Sequence, residues 1–216
     1  MRILAFDCAG AQCAAAILAD GRVVAEKRIL AARGHAQLLI PLLIELLGAA
    51  GLGFGDIDRF AATTGPGSFT GIRVALAAAH GLALGTGKPI IGITMFEALA
   101  AMAAEAGIAA PRLLVAIDSR RAELFVQLFD PAGAALGEPA MLSPEAIAAW
   151  AGPGRLALTG DAANLVAPHL DEIVDTAWTT QIDPVIVARL AAGRAAGPAP
   201  APFYLRAPDA VPARIR

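Results

Sequence analysis

The order of the predicted secondary-structure elements is the feature of this sequence that most constrains its fold. Residues 2–7 form a short apolar run that ends in an aspartate, which predicts a buried strand. Two further apolar stretches, residues 13–19 and 23–30, are separated by Asp20 and Gly21, a strong signal for a two-residue hairpin turn. Three consecutive strands joined by tight turns predict an antiparallel meander.

Helices and strands alternate after this meander. A helix is predicted over residues 34–50, where Pro41 is expected to kink it or to begin a new first turn. Four elements follow: a strand over 59–64, a helix over 68–84, a strand over 89–93 and a helix over 94–105. A meander that feeds α/β units predicts a mixed sheet with helices packed against it, and therefore an α/β fold.

A second lobe is predicted to begin near Pro111, with residues 1–107 as the N-terminal lobe and 108–216 as a smaller C-terminal lobe. Its elements are strands over 113–117 and 123–129, a helix over 143–150, a strand over 156–159 and a helix over 184–195. Residues 197–202 are rich in alanine and proline, so this tail is expected to run extended along the surface.

Composition narrows the function classes. Hydrophobic residues make up 57% of the chain and charged residues 17%, which excludes disorder. Charged side chains interrupt every apolar run, so no membrane span is predicted; the apolar excess instead favours a protein partner. The net charge of −2 argues against nucleic-acid binding driven by charge alone. With two cysteines that form no CxxC pair and no leader segment, the expected location is the cytoplasm.

The glycine-rich segment from Gly65 to Gly71 is the sharpest local motif. It follows a strand and opens a helix, a geometry in which free backbone N–H groups can face an anion. Spacing alone favours a simpler interpretation, a tight turn with Ser68 as the helix cap. The later run from Gly85 to Pro89 resembles a phosphate loop but lacks its first glycine, and it is interpreted as a helix C-cap.

Asp7 ends the first strand and faces the first turn. An acid in that place handles magnesium in sugar-kinase-like and actin-like folds, but the turn over residues 8–13 contains almost no hydroxyl groups. The alternative, an aspartate bonded to the turn's backbone, is favoured. We therefore treat four residues as a vestigial phosphate or nucleotide turn: Asp7, Gly65, Gly67 and Ser68.

Neither a metal site nor a catalytic group is predicted. The three histidines are widely spaced and form no metal-binding motif. A hydrolase triad of Ser68, a histidine and Asp118 is disfavoured, because Pro66 stands where a nucleophile elbow requires glycine.

The first two helices are more apolar than one sheet face requires. In the first helix, Leu39, Leu43 and Leu46 suffice to cover the sheet, and in the second, small residues would let another helix approach closely. Pattern alone leaves a core-only role open, but the apolar excess of the whole chain favours an interface. The predicted partner-binding residues are His35, Leu38, Leu42, Ile44, Arg73, Ala77, Ala78, Gly81 and Leu82.

Several blocks along almost the whole chain resemble one family. They are Ile3 to Asp7, His35 to Pro41, Gly65 to Arg73, Ala116 to Glu123 and Pro202 to Arg206. These blocks resemble the TsaB family, the non-catalytic subunits of the bacterial system that attaches threonylcarbamoyl to adenosine 37 of tRNA.

This resemblance implies an actin-like ATPase (ribonuclease H-like) fold of two lobes, each a mixed sheet with helices. It also implies a heterodimer with the catalytic paralogue TsaD, association with the ATPase TsaE, and contact with tRNA only through the complex. The two metal-binding histidines of the paralogue fall on Met95 and Leu99 here. The chain departs from the family at Cys8 and Ala9, where small hydroxyl residues are common. No cofactor is expected for the chain alone, and a nucleotide at the subunit junction stays open.

Three functions therefore compete. The first is a non-catalytic partner subunit, which should form a homodimer through the same helices when its paralogue is absent. The second is an autonomous actin-like ATPase or kinase, or a metallopeptidase-like enzyme, which would need an intact phosphate turn or a metal pair. The third is an interaction protein with an unrelated partner.

Overall fold

A computed structural model describes residues 1–177, 179 and 181–205. In the first lobe, a five-stranded mixed sheet has the strand order β3-β2-β1-β4-β5. Its elements are β1 (Arg2–Asp7), β2 (Gln12–Ala19), β3 (Arg22–Leu30), α1 (His35–Ala49), β4 (Arg59–Gly65), α2 (Phe69–Thr86), β5 (Ile90–Thr94) and α3 (Met95–Glu105). The predicted meander and its α/β continuation are confirmed.

Strand pairing shows how the meander joins the α/β units. β1 pairs antiparallel with β2, which pairs antiparallel with β3, whereas β1, β4 and β5 run parallel. β1 is buried except at its first residue, Arg2, and β2 is buried except at its last, Ala19. A strand buried on both faces reads as a continuous apolar run, which explains the lack of polar alternation in residues 13–18.

Local signals set the ends of the helices. The Ser68 side chain accepts a hydrogen bond from Gly71 at the start of α2, and Thr94 and Glu97 form a capping box at the start of α3. Gly87 ends α2 in the left-handed conformation at φ 70°, so the predicted C-cap is confirmed. Pro41, by contrast, neither ends nor restarts α1, which is one helix from His35 to Ala49.

The second lobe is built on another five-stranded sheet, in the order β10-β9-β6-β7-β8. Its elements are β6 (Leu113–Asp118), β7 (Leu124–Phe129), β8 (Ala140–Leu142), α4 (Pro144–Ala151), β9 (Leu156–Thr159), α5 (Ala163–Val166) and β10 (Ile173–Ala177). Sequence analysis anticipated β6, β7, α4 and β9 but missed β8, α5 and β10. The three missed elements are three to five residues long, too short for a periodic pattern.

The last helix, α6 (Pro184–Ala192), lies in the first lobe and not in the second. It packs on β1, β2, β4 and β5, and its residues Val185, Val187 and Ala188 belong to the core of the first sheet. Arg189 also pairs with Glu105 of α3 at 2.7 Å. The predicted assignment of all of 108–216 to the C-terminal lobe is therefore wrong for α6, because its apolar face finds cover only on the first sheet.

The predicted extended tail runs along the first lobe after α6. The N–H of Phe203 donates to the carbonyl oxygen of Thr64 at 2.8 Å, and the ring of His80 contacts the carbonyl oxygen of Pro200 at 3.0 Å. The tail thereby covers the end of β4 and the side of α2. Arg206, the last residue of the family-like blocks, lies outside the described residues.

Helix α2 is long and apolar enough to cross a membrane by length and composition alone. It carries Arg73 and His80, and it packs against β1, β4, β5 and α1. Only 28% of the residues of α2 are buried in the protein, so most of the helix is at least partly exposed.

Candidate functional site

The first turn joins β1 to β2 and surrounds a buried carboxylate. Asp7 is fully buried, and its Oδ1 accepts hydrogen bonds from the Ala9 N–H at 2.9 Å and the Thr63 hydroxyl at 2.6 Å. Burial raises the pKa of Asp7, while the bonds from Thr63 and Ala9 lower it and only partly offset the burial. Asp7 is thus bonded to the turn, as the favoured interpretation predicted.

The glycine segment packs directly on this turn. Ser68 N–H donates to the carbonyl oxygen of Ala9 at 2.8 Å. A Cβ added at Gly67 would lie 2.6 Å from that same oxygen, and one added at Gly71 would lie 1.8 Å from the carbonyl oxygen of Cys8. The glycines therefore serve the close approach of β4 and α2 to the first turn. Two N–H groups of the segment, those of Ser68 and Gly71, are used within the chain, which does not fit a phosphate cradle formed by this chain alone.

A cleft of about 920 Å³ lies between the two lobes. On the first-lobe side it is lined by Ala9, Gly10, Met95 and Leu99, and Phe203 of the tail also contributes. Met95 and Leu99 are the two positions at which the resemblance inferred from the sequence implied the metal-binding histidines of a catalytic paralogue. A thioether and an alkyl group here give the cleft an apolar wall.

The second lobe contributes a polar cluster to the cleft. Arg120 pairs with Asp118 at 2.8 Å and lies 3.5 Å from Asp161, whose Oδ1 accepts the Asp118 N–H at 2.7 Å. Burial raises the pKa of Asp161, against the opposing effects of the Asp118 N–H and the Arg120 charge. Within the described part of the chain, no group of three His, Cys, Asp or Glu side chains could share a metal ion. The two carboxylates are instead neutralised by arginine.

Two of the predicted partner-binding residues are buried inside the protein. His35 is 6% exposed, and its Nε2 contacts the carbonyl oxygen of Gly10 at 3.1 Å. Leu42 is 1% exposed and belongs to the core of the first lobe. Their prediction as partner-binding residues is wrong, because helix periodicity does not tell which faces a sheet and a neighbouring helix will cover.

The other predicted partner-binding residues lie nearer the surface. Ile44 is 57% exposed, and Arg73, Ala77 and Gly81 are exposed on α2. Leu38, Ala78 and Leu82 are half-buried and pack against the core. Because α1 and α2 contact each other, these residues belong to two adjacent helices.

Sequence reasoning missed two further exposed apolar residues on these helices. Ile40 of α1 is 40% exposed and Leu84 of α2 is 89% exposed. A helical-wheel projection centred on Leu39, Leu43 and Leu46 would have put Ile44 on the opposite side. Hereafter the helix face means Ile40, Ile44, Ala77, Gly81 and Leu84.

Three stacked side chains lie at the end of α2 nearest the cleft, and no sequence pattern predicted this stack. The Arg73 guanidinium lies 3.6 Å from the centre of the Phe69 ring, and its Nε donates to the Tyr204 hydroxyl at 2.9 Å. The rings of Phe69 and Tyr204 are themselves stacked at 5.4 Å. Arg73 thus holds the C-terminal tail against α2 through contacts with the protein's own rings.

The two-lobed architecture defines the class of protein, because it is the architecture of the actin-like ATPase fold. The chain superposes on component A of the Acidaminococcus fermentans (R)-2-hydroxyglutaryl-CoA dehydratase with a TM-score of 0.53 at 13% identity, covering 88% of this chain and 97% of that one. A Pseudomonas aeruginosa protein, described as similar to the peptidase YeaZ, has a TM-score of 0.83 at 29% identity, with 95% and 99% of the two chains covered.

Sequence comparison gives the family. Residues 24–177 match the profile of TsaD, tRNA N6-adenosine threonylcarbamoyltransferase, and the chain belongs to this family. It is 40% identical over 125 residues to the tRNA threonylcarbamoyladenosine biosynthesis protein TsaB of Escherichia coli K12, a match over 58% of this chain and 53% of that protein. The Haemophilus influenzae TsaB is 37% identical over 125 residues, which are 58% of this chain and 52% of that protein.

The matched segment therefore spans about half the length of these curated relatives. A tRNA N6-adenosine threonylcarbamoyltransferase of Maricaulis maris is also 41% identical over 108 residues, which are 49% of this chain and 28% of that protein. The resemblance to TsaB inferred from the sequence blocks is confirmed.

Proposed function

We propose that the chain is a non-catalytic subunit in the biosynthesis of threonylcarbamoyladenosine on tRNA. In this proposal it acts in the cytoplasm, forms a heterodimer with the catalytic paralogue TsaD and supports the association of TsaE. Membership of the TsaD family and the similarity to proteins named TsaB support this reaction context. Contact with tRNA would come through the complex, since a net charge of −2 provides little attraction for phosphates.

The helix face is the observation that carries the proposal. Ile44 and Leu84 are large apolar side chains that are 57% and 89% exposed in the isolated chain. Ala77 and Gly81 are small and exposed between them on α2, which would let another helix come close. Two such helices against two related ones would bury about 800 Å² per partner, the size of a standard interface.

The composition of the interlobe cleft supports a non-catalytic role. Met95 and Leu99 supply no ligand for iron or zinc, and Asp7 is engaged with Thr63 and Ala9 instead of the cleft. The first turn has no hydroxyl side chain that could bind a phosphate, and the N–H groups of Ser68 and Gly71 already have partners within the chain. A nucleotide would therefore need binding groups from the partner, so the subunit junction is its proposed place.

The size of the cleft favours one alternative, an autonomous ATPase, kinase or peptidase-like enzyme. Asp118 and Asp161 are acidic groups in a space of about 920 Å³, which would hold a nucleotide. Arg120 neutralises both carboxylates, however, and would have to leave before a magnesium ion could bind.

Reconstitution distinguishes these functions. TsaD, TsaE, tRNA, ATP and an activated threonylcarbamoyl donor are mixed with or without the purified chain, and threonylcarbamoyladenosine is measured in digested tRNA. We expect the modification only when the chain is present, and co-elution of the chain with TsaD in a one-to-one complex. The chain alone should neither hydrolyse ATP nor modify tRNA. Modification at the full rate without the chain would refute the partner role, and ATP turnover by the chain alone would favour the enzyme.

A further inference from the structure

The only two cysteines of the chain face each other across the first turn. Cys8 directly follows β1 and Cys13 lies in β2, next to the paired residues Asp7 and Ala14. Both thiols are fully buried, and their sulfur atoms are 3.1 Å apart. The two sulfur atoms would have to approach by about 1 Å to reach the roughly 2.05 Å of a disulfide bond.

We propose that Cys8 and Cys13 are an oxidation site, at which hydrogen peroxide converts the two thiols into an intramolecular disulfide across the first turn. In the first step the thiolate of Cys13 attacks a peroxide oxygen, the O–O bond breaks, and a sulfenic acid and hydroxide form. In the second step the sulfur of Cys8 attacks the sulfenyl sulfur, the S–S bond forms, and water leaves with the thiol proton. Two thiols and one peroxide thus give one disulfide and two water molecules.

The surroundings of the two thiols assign these roles. The hydrogen bond from the Cys8 thiol lowers the pKa of Cys13, against the opposing effects of burial and the charge of Asp7. The same hydrogen bond, together with burial, raises the pKa of Cys8. Cys13 is therefore the thiol that loses its proton more readily, and the thiolate is the nucleophile in such reactions.

Peroxide can approach through the interlobe cleft. Ala9, Gly10 and Ala11, three of the four residues between the two cysteines, form part of its wall, so the turn that carries both thiols borders the cleft. Fixed neighbours hold the turn in place, because Ala9 is bonded to Ser68 and Gly10 contacts His35. The cross-link therefore needs a movement of the sulfur atoms and little movement of the fold.

The test uses the full chain and counts its thiols. The reduced protein is treated with hydrogen peroxide in the native state, quenched, unfolded, alkylated with iodoacetamide and weighed by mass spectrometry. We expect no alkylation after peroxide, a loss of two hydrogen atoms from the intact mass, and two alkylated thiols when dithiothreitol precedes alkylation. Circular dichroism should stay native throughout, and the product should run as a monomer without reductant.

Single replacements control for other oxidation products. Cys8→Ala and Cys13→Ala each retain one thiol, so neither can lose two hydrogens by forming a disulfide within the chain. The decisive test uses the wild-type chain, so it does not depend on whether a variant folds. The proposal would be overturned if both thiols were still alkylated at a peroxide dose that fully oxidises free glutathione. Disulfide-linked dimers, or sulfinic acid as the main product, would also overturn it.

Discussion

The guanidinium of Arg59, at the first residue of β4, donates a hydrogen bond to the carbonyl oxygen of Ala191 in α6 at 2.6 Å. The same nitrogen donates to the carbonyl oxygen of Arg194 at 2.5 Å. Ala191 is in the last turn of α6 and Arg194 follows the helix, so Arg59 adds a hydrogen-bond donor for carbonyl groups at the C-terminal end of α6. Arg59 thereby links the first sheet to a helix that lies more than 130 residues later in the chain.

Removing this arginine should loosen α6. Arg59→Met keeps much of the apolar length but loses two charge-assisted hydrogen bonds, so we expect the free energy of unfolding to fall by about 2–3 kcal/mol. Arg22→Met, at an exposed arginine of β3, is the matched control and should change it by less than about 0.5 kcal/mol. Urea unfolding measures the free energy of unfolding of both variants. Amide hydrogen exchange should become faster in α6 of Arg59→Met but not of Arg22→Met. Equal effects would contradict the role of Arg59.

Thr63 and Thr64 are adjacent threonines with different acceptors. The Thr63 hydroxyl donates to the Asp7 carboxylate at 2.6 Å, whereas the Thr64 hydroxyl donates to the carbonyl oxygen of Ile93 at 3.3 Å. Thr63→Val should cost about 2 kcal/mol, because the buried carboxyl group of Asp7 loses a hydrogen-bond partner, and Thr64→Val only about 1 kcal/mol or less. Chemical denaturation of the two variants tests this order. A larger loss for Thr64→Val would show that Asp7 does not depend on the Thr63 hydroxyl.

The raised pKa of Asp7 makes stability depend on pH in a defined direction. Above the ordinary value of 3.8, the native state binds more protons at this site than the unfolded chain does. Stability from this group is therefore present at low pH and is lost as pH rises through the native pKa. Asp7→Asn removes the titration.

The measurement for Asp7 compares two pH series. The free energy of unfolding of the wild type, minus that of Asp7→Asn, should decrease as the pH rises from about 4 to about 7. Urea titrations of both proteins at each pH provide the difference, in which the titration of all other groups cancels. A difference that grows with pH would mean that the bonds from Thr63 and Ala9 outweigh burial and stabilise the charged form.

The sequence predicted the first lobe well because its signals are local. Asp20 and Gly21 set the hairpin, Ser68 caps α2, and Thr94 caps α3; each acts within four residues of its own position. The position of α6 could not be predicted in this way, because its cover comes from strands about 90 or more residues earlier in the chain. β10 is half-exposed and pairs only with β9, so it lacks the continuous apolar run that revealed β1 and β2.

The candidate site shows the same division. The glycine segment was predicted to be a tight turn with Ser68 as the helix cap, and the structure confirms the cap, whereas the packing of the segment on the first turn was not predicted. Of the predicted partner-binding residues, Ile44 is exposed, but His35 and Leu42 are buried, because two helices and a sheet share the apolar residues of α1. Helix periodicity gives the angular width of an apolar stripe but not how many neighbours cover it.

Ile44 and Leu42 lie two residues apart in α1, and their exposures of 57% and 1% predict opposite results for one substitution. Leu42→Glu places an unpaired charge in the core, so we expect a loss of several kcal/mol and no folded monomer. Ile44→Glu leaves the charge in water in the monomer, so the free energy of unfolding should change by less than about 0.5 kcal/mol.

In the proposed assemblies the outcome for Ile44→Glu reverses, because an interface through the helix face would desolvate the new charge. A penalty of about 3 kcal/mol would weaken binding to TsaD, and to a second copy of the chain, by about 100-fold. Leu136→Glu, at a residue 49% exposed in the second lobe, makes the same change away from the helix face and should bind normally. Sedimentation or light scattering with each variant, alone and with TsaD, measures this. Unchanged assembly of folded Ile44→Glu would place the interface elsewhere on the molecule.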